Sequence, residues 1–102
     1  MQIITLNVNG VRAATRKGFL SWLKAQSADF VCIQELKAQL ADLSPEILAP
    51  EGYHGYFHCA TRKGYSGVGI YCRNKPDRII EGLGIDEIDC EGRFIQADFS
   101  VN

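Results

Sequence analysis

The sequence predicts an α/β fold, and three observations carry that prediction. Residues 2–8 and 29–34 are short runs of β-branched and apolar residues, the stretch between them has helical spacing, and beyond Gly52 the pattern switches to period two. A length of 102 residues suits one domain or part of one, and 46% hydrophobic with 23% charged residues excludes intrinsic disorder. No stretch approaches the roughly 18 uninterrupted apolar residues of a membrane span. The formal net charge of -1 gives no global attraction to nucleic acid, so any polyanion site must be local.

Each element follows from its residues. Gln2 to Val8 is apolar on both parities, as in a strand buried on both faces of a parallel sheet. From Ala13 to about Gln26, Phe19, Leu20 and Leu23 recur at helical spacing with Arg16, Lys17 and Lys24 between them, which predicts a surface helix weakened near its start by Gly18. Asp29 to Gln34 then supplies a second strand parallel to the first. Lys37 to Pro50 has room for one or two short helices, with Ser44 capping a turn that has Pro45 at its first position. Tyr53 to Cys59 and Val68 to Cys72 read as a hairpin. Runs at about Arg78–Gly82 and Arg93–Val101 complete a meander, the last with Ile95, Ala97, Phe99 and Val101 toward a core and Gln96, Asp98 and Ser100 toward solvent. That last apolar face calls for a second layer, a first sign that the chain is part of a larger domain.

The four cysteines, Cys32, Cys59, Cys72 and Cys90, contain no Cys-x-x-Cys and read as buried free thiols. Met1 leads directly into an apolar run with no basic segment before it, so no secretory signal is expected and the expected location is cytoplasmic.

In an open α/β sheet, ligands bind beyond the carboxyl ends of the parallel strands. The first strand ends in Asn7-Val-Asn9-Gly10 and the second in Gln34-Glu35. If the strands are neighbours, two amides and a carboxylate meet at one sheet edge, a hard-oxygen set suited to Mg²⁺ once water or phosphate completes it. Alternatively, Glu35 is only a cap and Asn9-Gly10 only a turn. Arg12, Arg16, Lys17 and Lys37 flank this edge, as a phosphate site or as a solvated face. The loop Arg62-Lys63-Gly64-Tyr65-Ser66-Gly67 offers cations, glycine amides and a phenol to a phosphate, or is a plain hairpin connection; it lacks the ending of a P-loop. His54 and His58 are about 13 Å apart along a strand, too far to share a metal.

Taken in order, Leu6-Asn-Val-Asn-Gly-Val-Arg-Ala13, Ile33-Gln-Glu-Leu-Lys37, Gly64-Tyr-Ser-Gly-Val-Gly69 and Glu91-Gly-Arg-Phe-Ile95 resemble the amino-terminal half of exonuclease III and the apurinic/apyrimidinic endonucleases, within the exonuclease-endonuclease-phosphatase superfamily. The resemblance implies a DNase I-like two-sheet α/β sandwich, of which residues 1–102 form the amino-terminal portion. It implies a Mg²⁺-dependent DNA repair nuclease, with Mn²⁺ as a substitute, acting on double-stranded DNA at an abasic site or a 3′ end.

On that resemblance Glu35 is the metal-binding glutamate, and Asn7 orders the phosphate and metal site beside it. Asn9 stands where relatives carry Asp or Asn. Arg12, Ala13 and Lys17 grip the DNA backbone, Tyr65 approaches the DNA with Arg62 and Lys63 in its loop, and Arg93 is a further DNA-facing arginine. Leu36 departs from the commoner threonine. The family's water-activating groups come later in its chains, which puts them beyond Asn102. Residues 1–102 alone are therefore expected to be inactive and to need the carboxyl-terminal half or a partner chain. The competing expectations are a non-catalytic half-domain that binds nucleic acid or a partner, and a relative acting on phospholipid or inositol phosphate.

Overall fold

The structure, a computed structural model, describes residues 1–100. Ile3, Ile4 and Leu6 build β1 (Ile3–Asn7), and Phe30, Val31 and Ile33 build β2 (Phe30–Gln34), parallel to it and in register from Ile3 opposite Phe30 to Asn7 opposite Gln34. The helical connection between them is two pieces, α1 (Val11–Arg16) and α2 (Phe19–Lys24), and not the single helix expected from Ala13 to Gln26. The chain breaks at Gly18, whose φ of 104° is left-handed and costs a glycine little.

Ser44 caps α3 (Pro45–Leu48) as expected, its hydroxyl accepting from the Ile47 N–H at 3.3 Å, and a 3₁₀ turn at Leu40–Asp42 precedes it. β3 (His54–His58) and β4 (Val68–Cys72) form the expected antiparallel pair. β4 also pairs antiparallel with β2, giving a mixed four-stranded sheet in the order β1-β2-β4-β3.

The expected meander does not continue from there. Both edges of β4 are taken by β2 and β3, so β5 (Arg78–Glu81) pairs instead with β6 (Ile95–Asp98) as a separate two-stranded antiparallel sheet, with α4 (Asp86–Asp89) in the loop between them. This small sheet packs against β3 and β4. The last strand is shorter than expected and half-buried at every position. Its polar side is occupied, because Asp98 accepts from Arg78 and from Gln96 and so has no need of solvent. The Val101 part of the expected strand lies outside the described residues, and so does Asn102, the residue beyond which the water-activating groups are expected. β1 also departs from expectation, because only Ile4 and Leu6 are half-buried while Ile3, Thr5 and Asn7 are exposed at the sheet edge.

One face of the large sheet carries the core. Across β2, β4 and β3 the register runs Val31, Tyr71, Gly55 and then Ile33, Gly69, Phe57, so each large aromatic faces a glycine across the ladder. Leu23, Phe19, Val11 and Ile47 close over this face. Tyr71 is the hub: its ring meets Phe57, Phe19 and Tyr53 at centroid distances of 5.7, 6.3 and 6.3 Å, and its hydroxyl donates to the Ile47 carbonyl at 2.7 Å. Burial holds that phenol above its ordinary pKa and pushes the Cys72 thiol up to about 11. All four cysteines are free, but only Cys72 is buried; Cys32 is half-buried because it lies on the face of β2 opposite Val31 and Ile33, while Cys59 and Cys90, just past the ends of β3 and α4, are half-buried and exposed.

Two outcomes follow. A Cβ on Gly69 would stand 2.7 Å from the Phe57 ring, so Gly69→Ala should cost about 1–3 kcal/mol in chemical denaturation, as overpacked cores do. Asp89 accepts the N–H groups of Leu83, Gly84 and Ile85 at 2.9, 2.9 and 3.1 Å, and these bonds, that from Leu83 foremost, hold its carboxyl below the usual range. A depressed folded-state pKa gives stabilisation that is present above the unfolded value of about 3.9 and lost as pH falls through the folded one. Amide exchange at residues 83–85 should therefore stay protected down to about pH 4 and open below it, and Asp89→Asn should remove that pH dependence.

Candidate functional site at the carboxyl ends of β1 and β2

The parallel pairing of β1 and β2 extends past both strands. Val8, Gly10 and Val11 donate their N–H groups to the carbonyls of Gln34, Glu35 and Leu36 at 3.0, 2.8 and 2.9 Å. To follow this path Asn9, Glu35 and Lys37 adopt left-handed φ angles of 48°, 57° and 53°, a conformation asparagine tolerates and the other two hold only because the bonds around them leave no alternative. The Glu35 side chain is thereby aimed off the sheet edge.

Asn7 donates its amide N–H to Glu35 Oε2 and accepts the Asn9 N–H on its oxygen at 2.9 Å. Lys37 Nζ donates to Asn9 Oδ1 at 2.6 Å and lies 3.7 Å from Glu35 Oε1, and the Arg12 guanidinium donates to the Lys37 carbonyl at 2.9 Å. Asn7, Asn9, Glu35 and Lys37 are thus one network. Gln34 is not part of it, since its amide donates to Thr5 Oγ1 at 2.8 Å on the open face of the sheet. A cavity of about 310 Å³ lies alongside, lined by Asn9, Gly10, Arg12, Ala13, Arg16 and Lys37. Lys17 lines a neighbouring one of about 470 Å³ with Asn7, Asn9 and Trp22.

The donor chemistry decides what such an edge holds. Glu35 is the carboxylate, 43% exposed, and the remaining donors are amide oxygens. Among the described residues no group of three His, Cys, Asp or Glu side chains is placed to enclose a metal. A single carboxylate with hard-oxygen neighbours in an open position fits a Mg²⁺ ion that keeps most of its waters and takes phosphate as a further ligand. In this arrangement Asn7 orients the carboxylate through its N–H, while Glu35 presents the charge.

A second group stands on the Tyr65 loop. Leu36 and Lys37 donate their N–H groups to the Gly67 and Ser66 carbonyls at 3.1 and 2.8 Å, which joins this loop to the Glu35 segment. The guanidiniums of Arg62 and Arg93 lie 5.2 and 5.7 Å from the centroid of the Tyr65 ring, and its hydroxyl accepts from Arg93 at 2.9 Å. Glu91 Oε1 accepts from Arg93 Nε at 2.7 Å and from the Tyr65 hydroxyl at 3.3 Å, and Arg93 holds the Glu91 carboxyl below the usual range. Lys63 is exposed on the same loop.

The expected site residues thus fall into two groups, Asn7, Arg12, Ala13, Lys17 and Glu35 at the strand ends and Arg62, Lys63, Tyr65 and Arg93 on the loop. Sequence reasoning placed Glu91 in the Glu91-Gly-Arg-Phe-Ile95 segment but gave a site role only to Arg93. His58 is bonded through Nδ1 to the Phe94 carbonyl at 2.8 Å and His54 is exposed, so neither joins the site. Asp29 caps the far end of the sheet by accepting the Gln2 N–H at 2.7 Å.

Residues 4–102 match the model of the Endonuclease/Exonuclease/phosphatase family. The chain is a member of that family. The family relatives include an exodeoxyribonuclease of Bacillus subtilis, 45% identical over 97% of this chain and 38% of its own length, and the DNA repair nuclease APEX1 of Danio rerio, 39% identical over 97% of this chain and 33% of its own. Among solved structures, a Neisseria 3′ phosphatase, NExo, bound to a product DNA hairpin superposes with a TM-score of 0.81 at 29% identity, covering 98% of this chain and 38% of that one. The chain therefore spans between a third and two-fifths of the length of these three proteins, and it has their DNase I-like α/β architecture.

The Lys37 ammonium sits where it repels any cation approaching Glu35. Two unit charges about 4 Å apart interact by about 1 kcal/mol even in water, so if Glu35 holds a divalent cation, Lys37→Met should tighten its binding by about fivefold or more in titration calorimetry.

Proposed function

We propose that these residues are the amino-terminal portion of a Mg²⁺-dependent DNA repair nuclease that hydrolyses phosphodiester bonds at abasic sites or 3′ ends. The observation that carries the reading is the oriented Asn7–Glu35 pair at the ends of two parallel strands, with Arg12, Arg16, Lys17 and Lys37 around it. The relatives named as nucleases and the DNA-bound neighbour support it.

Glu35, oriented by Asn7, would hold the Mg²⁺, and a bound Mg²⁺ neutralises charge on the phosphate under attack. Arg12 and Lys37 supply fixed positive charge to the phosphate beside it, and Lys17 extends that grip along the backbone. Tyr65, Arg62 and Arg93 present donors and a ring face to the duplex from the second loop. These are positioning and electrostatic contributions, which need no proton transfer from the chain itself. The group that activates water is assigned to the carboxyl-terminal part of the domain, beyond Asn102, so the 102 residues alone should be inactive.

Glu35→Gln in the full-length protein should lower cleavage of an abasic-site duplex about 100-fold or more at limiting Mg²⁺ and abolish calorimetric Mg²⁺ binding. Unchanged cleavage and binding would remove Glu35 from the site. Faster hydrolysis of inositol phosphates than of abasic DNA by the unaltered protein would overturn the DNA reading.

A further inference from the structure

We infer that Glu91 is a positioning residue, which locks Tyr65 and Arg93 into one orientation and so sets how selectively the second loop grips DNA; this deepens the nuclease reading and rests on it. Glu91 Oε1 is the single oxygen that accepts from both Tyr65 and Arg93, at 3.3 and 2.7 Å, while Arg93 also donates to the Tyr65 hydroxyl at 2.9 Å. The three groups form a closed triangle bridging two loops 26 residues apart in sequence.

The turn that carries Glu91 is itself fixed. Gly92 is pressed so closely on the end of β3 that a Cβ there would lie 2.5 Å from the Ala60 nitrogen and 2.8 Å from the His58 carbonyl oxygen. Thr61 donates its N–H to the Cys90 carbonyl at 2.9 Å, and Phe94 is held by His58, so the turn is anchored before and after Glu91. A carboxylate on so rigid a base directs its hydrogen bonds to two groups that would otherwise sweep through solvent. Arg93 is 52% and Glu91 41% exposed on the side chain, so the pair remains open to a ligand on its outer side. An anchored arginine loses little entropy when it meets a phosphate at the right place, and it reaches poorly toward phosphates elsewhere.

Glu91→Ala and Glu91→Gln in the full-length protein separate positioning from charge. Glutamine keeps an acceptor oxygen for Arg93 and Tyr65 but removes the charge, whereas alanine removes both. Steady-state cleavage of an abasic-site duplex should show KM raised about tenfold in Glu91→Ala with kcat within about twofold, and KM restored to within about threefold in Glu91→Gln. A KM raised equally in both would make the effect one of charge and overturn the positioning role, as would an unchanged KM in Glu91→Ala. A loss of kcat matching a lowered melting temperature in Glu91→Ala would make Glu91 a folding residue and overturn it as well. If the unaltered protein cleaves no abasic duplex, the nuclease reading itself fails, an outcome recognisable before any variant is made.

Discussion

The parallel pairing of β1 with β2 is the constraint on which the site depends. Strand pairing alone would bring Asn7 opposite Gln34, and it is the three further N–H donors from Val8, Gly10 and Val11 that carry the alignment past the strand ends. Those bonds force left-handed backbone at Glu35 and Lys37, and that conformation aims the carboxylate outward. The core supports the pairing from beneath, since Val31 and Ile33 are fully buried with the residues of α1 and α2 and cannot shift register without flipping to the open face. An edge arranged this way needs few polar groups, because the backbone fixes where the Asn7 and Glu35 side chains meet.

Charge is distributed just as sparingly. The molecule as a whole is close to neutral, yet Arg12, Arg16, Lys17 and Lys37 gather around one edge and Arg62, Lys63 and Arg93 around the adjoining loop. Acidic residues such as Asp86, Asp89 and Asp98 are set on the small second sheet and its loop. Net charge therefore carries no information about which edge would attract a polyanion.

The β-α-β unit, the Ser44 cap and the convergence of Asn7 with Glu35 were legible because each is local or follows from one parallel pairing. Hydrophobic period reports which face a residue turns to the core, and it says nothing about the neighbour across a ladder. The four β runs after Gly52 looked like one meander for that reason, although β4 had already given both its edges to β2 and β3. The break at Gly18 was visible as a weakness but not as a boundary, because a glycine's cost within a helix is small beside the tertiary packing that decides where a helix ends. Glu91 was illegible because its partners, Tyr65 and Arg93, meet only after the 60s loop and the 90s turn are folded against each other.

The two backbone hydrogen bonds from Leu36 and Lys37 to Gly67 and Ser66 have a mechanical meaning. They make the Glu35 segment and the Tyr65 loop a single rigid caliper, with one jaw carrying the carboxylate and the other the aromatic and its arginines. The two segments meet at the buried Leu36, against which Gly67 packs so closely that a Cβ there would lie 3.1 Å from the Leu36 side chain. The spacing between the Glu35 segment and the Tyr65 loop is therefore set by backbone hydrogen bonds and not by side-chain contacts.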